Sequence, residues 1–453
     1  MLLLSVKGRE LIMDRGTSSI RGILLLYHHY LFQNAPTIME HVNAFERYSQ
    51  FKVWKVNTEM GFPKGLKGLR FEIILLHYSL FGPFYLLSDG FLNYLEESGS
   101  SYKIAFFQDE FRYCQKRFSF LDKFNIDCVY TLVDPKDFGL VYSKYTKVSK
   151  LVHTLPGYVS DELINAAERM TKPFDERTTD VGYRARHLSF YMGAGAQEKH
   201  QIGTEFKRLA GQCGLAMDIE TEEYKRIYGK KWYQFLANCK AVLGVEAGVS
   251  IFDLEDRVRI ECGRLGEENP RISFGEVFEK VLHPWEGNVP YRTISPRHFE
   301  AAAFRVLQLL FEGSYSGILK PMIHYIPLKK DFSNLSEALA LFRNNPFRHD
   351  VLETAYLDLI ASGAYSYRGF IEKFDQELAA EGLKPGIHVN EIERIDSFLN
   401  QGGMTRKLYA NVNSFRHYSF PGRRILLAFA RPMARIYRRF QRKKENISEF
   451  AGL

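Results

Sequence analysis

Short apolar runs alternate with helix-patterned segments through the first 155 residues, and that alternation restricts the possible folds more than any other feature. Gly22 to Tyr27 is an apolar run of strand length, the mark of a strand covered on both faces. Pro36 to Tyr48 carries Ile38, Val42 and Phe45 at helical spacing. Phe51 to Val56 alternates as a strand, and Phe71 to His77 is a third run. A helix is predicted over Phe84 to Leu95. The strand Lys103 to Phe107 ends at Gln108-Asp109-Glu110, and a helix follows through Phe124. Strands Cys128 to Val133 and Val148 to Leu155 complete the series, stopped by Pro156-Gly157. Strands spaced by helices of this length imply βαβ units and a parallel sheet. The polar strand ends at His28-His29, His77 and Gln108-Asp109-Glu110 then share one edge, where open sheets bind ligands.

A second series starts near Asp180. His187 to Met192 is predicted as a strand closed by Gly193-Ala194-Gly195, with a helix over Gln197 to Cys213 and a strand over Leu215 to Ile219. Gly229 to Cys239 is predicted helical, and Ala241 to Val245 is a strand running into Glu246-Ala247-Gly248. A charged insertion spans about Phe252 to Pro290. The expected fold class is α/β, with two Rossmann-like domains facing a cleft. The expected boundaries are an extension at 1–20, a first Rossmann-like domain at 21–170, a second at 180–345, a helical region at 346–420 and a basic amphipathic tail at 421–453.

The block from Tyr291 to Glu337 carries the densest polar signals. Ser295-Pro296-Arg297 opens a helix, because Ser caps the unpaired first-turn N–H groups and Pro tolerates the first position. Those N–H groups and the helix dipole suit a phosphate. Glu300 and Ala301-Ala302-Ala303 follow, then an apolar run and the turn Gly313-Ser314-Tyr315-Ser316-Gly317. Tyr315 and Ser316 are therefore candidate ligand-binding groups.

At 453 residues the chain has room for two domains. No apolar run reaches the length of a membrane span. Met1 to Val6 is too short for a signal peptide, and Met13 is an alternative start. Five scattered cysteines without CxxC spacing suit a reduced, cytoplasmic protein lacking structural zinc. From Arg423 to Lys444 there are nine basic residues and no acidic one, against a net charge of +8 for the whole chain, so the body is close to neutral. Ile425, Phe429, Met433, Ile436 and Phe440 recur between them at helical spacing. This pattern suits a helix lying on an anionic membrane surface, a peripheral inner-face location. No basic stripe elsewhere points to nucleic acid.

Arg297-His298-Phe299-Glu300-Ala301-Ala302-Ala303, with His324-Tyr325-Ile326-Pro327-Leu328 beyond it, resembles group 1 (family 4-like) GT-B glycosyltransferases, and most closely those of bacterial polysaccharide clusters. Asp180 to Arg186, Gly193, Gln197-Glu198-Lys199, Trp232 to Leu236 and Gly244 to Gly248 are similar to the same group, so the resemblance covers about residues 180 to 340. It implies a GT-B fold and transfer of a sugar from a nucleotide-sugar to a glycan or lipid-linked acceptor in cell-surface polysaccharide synthesis. The nucleotide-sugar is a substrate, and no cofactor is implied. Glu300 matches the family glutamate that bonds the donor ribose, and Lys199 the lysine near the diphosphate. The family arginine expected near Ala194 is missing, which makes Arg297 and Arg292 the substitute cations. Arg292 stands where the family has a second carboxylate, and Glu246 is the candidate to replace it.

Departure of a sugar leaves negative charge on the diphosphate, so the chemistry needs cations and N–H dipoles there. Lys199, Arg297, the Ser295 helix start and the Gly313–Gly317 turn supply them. The chain has no Asp-x-Asp pair, so a metal-independent transfer is expected. Asp109, with His77 second, is the candidate base for the acceptor hydroxyl. A nucleotide-sugar epimerase and a non-catalytic scaffold at the membrane remain as alternatives.

Overall fold

The computed structural model describes residues 19–29, 36–386 and 389–400. Two lobes result, each built on a fully parallel sheet. The first comprises β1 (Ile20–Tyr27), α1 (Pro36–Tyr48), β2 (Val53–Asn57), β3 (Phe71–Leu76), α2 (Asp89–Glu97), β4 (Tyr102–Phe106), α3 (Cys114–Lys123), β5 (Cys128–Thr131), β6 (Lys150–His153) and α4 (Asp161–Met170). Its strand order is β2-β1-β3-β4-β5-β6. Alternate strand residues enter opposite cores: Leu24, Leu26, Ile74 and Leu76 on one face, Ile23, Leu25, Ile73 and Leu75 on the other. That two-sided burial is why the runs are continuously apolar.

The second lobe runs through β7 (Thr179–Arg184), α5 (Ala194–Leu209), β8 (Met217–Glu220), α6 (Lys230–Asn238), β9 (Cys239–Gly244), β10 (Ala247–Gly248), α7 (Val258–Glu268), α8 (Phe274–Val277), β11 (Arg292–Thr293), α9 (Pro296–Ala303), β12 (Leu307–Phe311), β13 (Ile326–Leu328) and α10 (Leu335–Arg343). The main sheet has the order β13-β12-β9-β7-β8, and β10 and β11 form a separate antiparallel pair. The strand expected at His187 to Met192 is absent; that segment contains only a single turn at Phe190–Met192. The strand is β7 instead, whose polar ends and central glycine conceal it. Gly182 is needed there because Phe235 of α6 packs on its Cα side, and a Cβ would lie 2.7 Å from the ring. In the first lobe the helix expected from Phe84 begins only at Asp89, because Phe81 and Tyr85 pair in a short bridge ahead of it.

The chain then crosses back. α11 (Asn345–Tyr356) packs against α9 and α10 in the second lobe, whereas α12 (Tyr367–Ala380) lies on α1 of the first. α13 (Val389–Asn400) also joins the first lobe, where Asp396 accepts a hydrogen bond from the Trp54 indole at 3.1 Å. The expected separate helical region is thus divided between the lobes over its described part. Residues 1–18 and the basic amphipathic stretch lie outside the described residues. Among the described residues no helix is long and apolar enough to cross a membrane.

The insertion ties the lobes together. Asp256 caps α3 by accepting from the Cys114 and Gln115 N–H groups, while Asp253 caps α7 through the Val258 and Arg259 N–H groups. Phe252, Leu254, Val289 and Tyr291 join the same apolar core as Phe107, Phe111 and Leu132 of the first lobe. Within it, the buried Glu110 carboxylate accepts from Thr131 Oγ1, the Leu132 N–H, the Tyr142 hydroxyl and, at 3.2 Å, the Tyr291 hydroxyl.

Candidate functional site

A cavity of about 220 Å³ opens beyond the C-terminal ends of β7 and β9, the usual ligand position in a parallel sheet. Lys199, Trp232, Val245, Ser295, Arg297 and His298 are among its walls. Ser295 caps α9 by accepting from the Arg297 N–H at 3.4 Å, and Pro296 occupies the first helical turn. This start turns Arg297 towards the cavity, where its guanidinium lies 4.7 Å above the Trp232 ring and donates to the Arg184 carbonyl. Glu300 follows one turn later and accepts from the Trp232 indole N–H at 2.7 Å. Burial raises the Glu300 pKa, and the indole bond and Arg297 oppose the rise. His298 is buried, shares a 2.8 Å hydrogen bond between Nδ1 and Gln308 Oε1, and is held neutral, its pKa lowered to about 4 chiefly by burial.

Lys199 projects from the first turns of α5, and among the described residues no carboxylate is hydrogen-bonded or ion-paired to it. Burial lowers its pKa to about 8, while Asp109 of the opposite lobe favours the charged form. The Gly193-Ala194-Gly195 turn ahead of it is already capped from the insertion. Ala194 N–H donates to Glu286 Oε2 at 3.1 Å and Gly195 N–H to Ser250 Oγ at 2.8 Å. Among the described residues Lys199, rather than these amides, is therefore the available positive group at this end of the cleft.

Arg292 is engaged on three sides. Its guanidinium donates to the Gly195 carbonyl, pairs with Glu198 and reaches Glu246 Oε2 at 3.3 Å. Lys330 holds the second Glu198 oxygen at 2.7 Å. The other Glu246 oxygen accepts from the Ser314 and Tyr315 N–H groups and the Ser314 hydroxyl. The turn's donors thus point at Glu246, which ties the turn to Arg292. Tyr315 is fully buried and donates to the Phe311 carbonyl. Ser316 Oγ bonds Thr293 Oγ1 and accepts from the Ile294 N–H. Contrary to the sequence expectation, the Tyr315 and Ser316 side chains are thus structural: the packed β12 end draws them inward.

On the first lobe Asp109 follows β4 in a left-handed conformation, with φ 52°, and its carboxylate is exposed in the cleft. His77 differs from expectation. It is completely buried, with Nε2 2.9 Å from His41 Nδ1 and Nδ1 2.8 Å from Ser79 Oγ. Burial and the neighbouring His41 push its pKa well below the usual range, so it is a neutral core group beneath the cleft.

The structure therefore gathers Lys199, Ser295 and Arg297 around one cavity, with Glu300 bonded to its Trp232 wall, and the Asp109 charge of the opposite lobe acts on Lys199. The partnership of Trp232 with Glu300 is invisible in a single-residue pattern. Glu40 on α1 was also missed. Its pKa rises to about 7 through burial and then through the Glu300 and Glu162 carboxylates. No group of three metal-ligating side chains occurs among the described residues.

No family model matches the chain, and no curated protein matches it. Solved structures that it is similar to include an alpha-glucosyltransferase in complex with UDP and HMU-containing DNA, at 10% identity, covering 80% of this chain and 99% of that one, TM-score 0.49. Anabaena HepE in complex with UDP and glucose gives 8% identity over 80% and 100%, TM-score 0.44. A glycosyltransferase from Rickettsia africae gives 9% over 81% and 100%, TM-score 0.43. Identity at this level speaks to chain path alone. What the sheets themselves establish is an α/β protein of two Rossmann-like lobes facing a cleft.

Proposed function

We propose that the protein is a GT-B glycosyltransferase that binds a nucleotide-sugar in the second lobe and transfers its sugar to an acceptor hydroxyl presented by the first. The observation that carries this reading is the convergence of Lys199, Arg297 and Trp232 on one cavity beyond the strand ends of the second lobe.

Trp232 supplies a flat wall and Glu300 a carboxylate with lone pairs still open for two ribose hydroxyls. Lys199 and Arg297 meet the diphosphate. When the sugar–phosphate bond breaks, its electron pair leaves on the diphosphate, and the half-buried ammonium stabilises that charge more than an exposed one would. The acceptor oxygen forms the new bond to the sugar, and its proton passes to Asp109. Ser295 fixes the Arg297 and Glu300 helix. Arg292 and Glu246 position the turn behind the site. The basic stretch from Arg423 to Lys444 favours a glycan or lipid-linked acceptor at an anionic membrane surface, as in bacterial polysaccharide synthesis.

The test is hydrolysis and transfer across a panel of nucleotide-sugars, with Glu300→Ala as the control. Activity of the wild type that falls at least tenfold in a folded Glu300→Ala protein supports the reading. Unchanged activity in that variant removes Glu300 from the donor site, and an inactive wild type across all donors removes the transferase reading.

A further inference from the structure

We propose that the N-terminal edge of the first sheet is a folded membrane-binding surface that takes the headgroups of anionic phospholipids. It is distinct from the Arg423–Lys444 stretch and extends the membrane placement read from that stretch to a fixed face of the protein.

Five cations gather on this edge. The Ile20 N–H donates to the Arg70 carbonyl at 2.7 Å and the Ile23 N–H to the Lys52 carbonyl at 2.9 Å, so Arg21, Lys52 and Arg70 stand on adjacent strand starts. The Arg70 guanidinium donates to the Lys67 carbonyl at 2.9 Å, which brings the tight turn Lys64–Gly68 alongside. Lys64 and Lys67 project from one side of that turn, because its repeat is three residues. Arg21, Lys52, Lys64 and Lys67 are exposed. Arg70 pairs with Glu97 at 3.3 Å, and among the described residues no carboxylate pairs with the other four.

The charge selects an anionic partner, and the surroundings of the edge select a bilayer. The Lys52 ammonium lies 5.9 Å from the Trp54 ring, whose indole N–H bonds Asp396 of α13. Further along α13 the Phe398 carbonyl rests on Gly65, where no side chain would fit, and the Phe398 ring is 36% exposed at the rim of the patch. The exposed Glu391 and Glu393 lie on the first turns of α13, about 10 Å back from Phe398 by the helical rise. The chain enters β1 at Ile20 and leaves α13 at Asn400, both at this edge. Beyond those points the sequence carries Met1-Leu2-Leu3-Leu4 on one side, and Ile425, Phe429, Ile436 and Phe440 among basic residues on the other. A bilayer interface rewards apolar groups and cations together, whereas nucleic acid rewards chiefly the cations.

The location also suits access to the site. The eight residues of β1, at about 3.3 Å each, separate the strand starts from the cleft by about 25 Å. A bilayer held at Arg21 and Lys52 leaves the cleft open.

Co-sedimentation of the full chain with vesicles of equal parts phosphatidylcholine and phosphatidylglycerol tests the surface, with pure phosphatidylcholine vesicles as the uncharged comparison. Combining Lys52→Glu, Lys64→Glu and Lys67→Glu is expected to lower partition onto the anionic vesicles at least tenfold, and the same three changes to Gln to lower it less. Thermal melting verifies that both variants fold. Hydrogen exchange of residues 64–68 is expected to slow when the wild type meets anionic vesicles. Equal partition of the wild type and the folded Glu variant, equal partition of the wild type onto both vesicle types, or unchanged exchange at residues 64–68 overturns the proposal. Capture of the wild type by duplex DNA at lower concentration than by anionic vesicles, lost in the Glu variant, also overturns it. A chain lacking residues 421–453 separates the two membrane readings. Loss of partition there, beside unchanged partition of the Glu variant, leaves only the tail; the reverse pattern supports the folded surface and removes the tail.

Discussion

The Trp232 indole N–H and a Glu300 oxygen meet at 2.7 Å, so the carboxylate is held by the aromatic wall of the second-lobe cavity. Removing either member changes a different quantity. Glu300→Gln keeps the shape and loses charge-assisted acceptance, worth about 1.5–3 kcal/mol, so donor kcat/KM is expected to fall on the order of 10- to 100-fold. Trp232→Phe is expected to raise donor KM with a smaller effect on kcat. Steady-state kinetics with the preferred nucleotide-sugar measures both.

Lys199 sets a pH limit. Its folded pKa of about 8 lies below the ordinary value of 10.5, chiefly through burial, so the cation disappears as pH rises through 8. Donor affinity is expected to decline above pH 8 with a slope approaching one proton. Lys199→Arg should flatten that decline, because a guanidinium stays charged. Lys199→Met should weaken binding at pH 7 and also remove the slope. Titration calorimetry from pH 6.5 to 9.5 checks this.

Arg292 satisfies two buried carboxylates, Glu198 and Glu246. Arg292→Met leaves Glu246 without its cation and Glu198 with Lys330 alone, and is expected to cost about 3–5 kcal/mol, read from the denaturant midpoint. Adding Glu198→Gln should restore part of that loss, and the double-mutant cycle measures how much.

Glu40 gives stability an opposite pH dependence from the usual carboxylate. Its folded pKa, near 7, lies above the ordinary 4.5, so the folded protein holds the proton more tightly than the unfolded chain. Its contribution is complete below about pH 4.5 and drains away as pH rises to about 7. In Glu40→Gln, thermal midpoints between pH 5 and 7.5 should fall less steeply than in the wild type.

The nine basic residues from Arg423 to Lys444 should hold the protein on anionic vesicles. Deleting residues 421–453 is expected to abolish flotation with phosphatidylglycerol liposomes, and high salt is expected to weaken flotation of the full chain. Equal flotation of both proteins removes the membrane assignment.

The first sheet was legible because its central strands are buried on both faces and so read as unbroken apolar runs. β7 was not, since Gly182 replaces a side chain with the Phe235 ring, a contact more than fifty positions away. The Ser295-Pro296 helix start was legible from local pattern, whereas Glu300 and Lys199 were singled out only through the family resemblance. The place of His77 was not legible, because its burial comes from α1 and the loop after β3 closing over it. The Arg292 network joins α5, β11 and the β9 end, and no local spacing encodes that meeting.

The apolar core that unites Phe252, Leu254 and Tyr291 with Phe107 and Phe111 has a thermodynamic consequence. A chain with two sheets of this size ordinarily melts in two steps, one per domain. Here neither lobe can lose its packing without exposing the other's, so calorimetry should record one endotherm whose van't Hoff and calorimetric enthalpies agree. By the same coupling, the isolated halves should be aggregation-prone fragments rather than independent folding units.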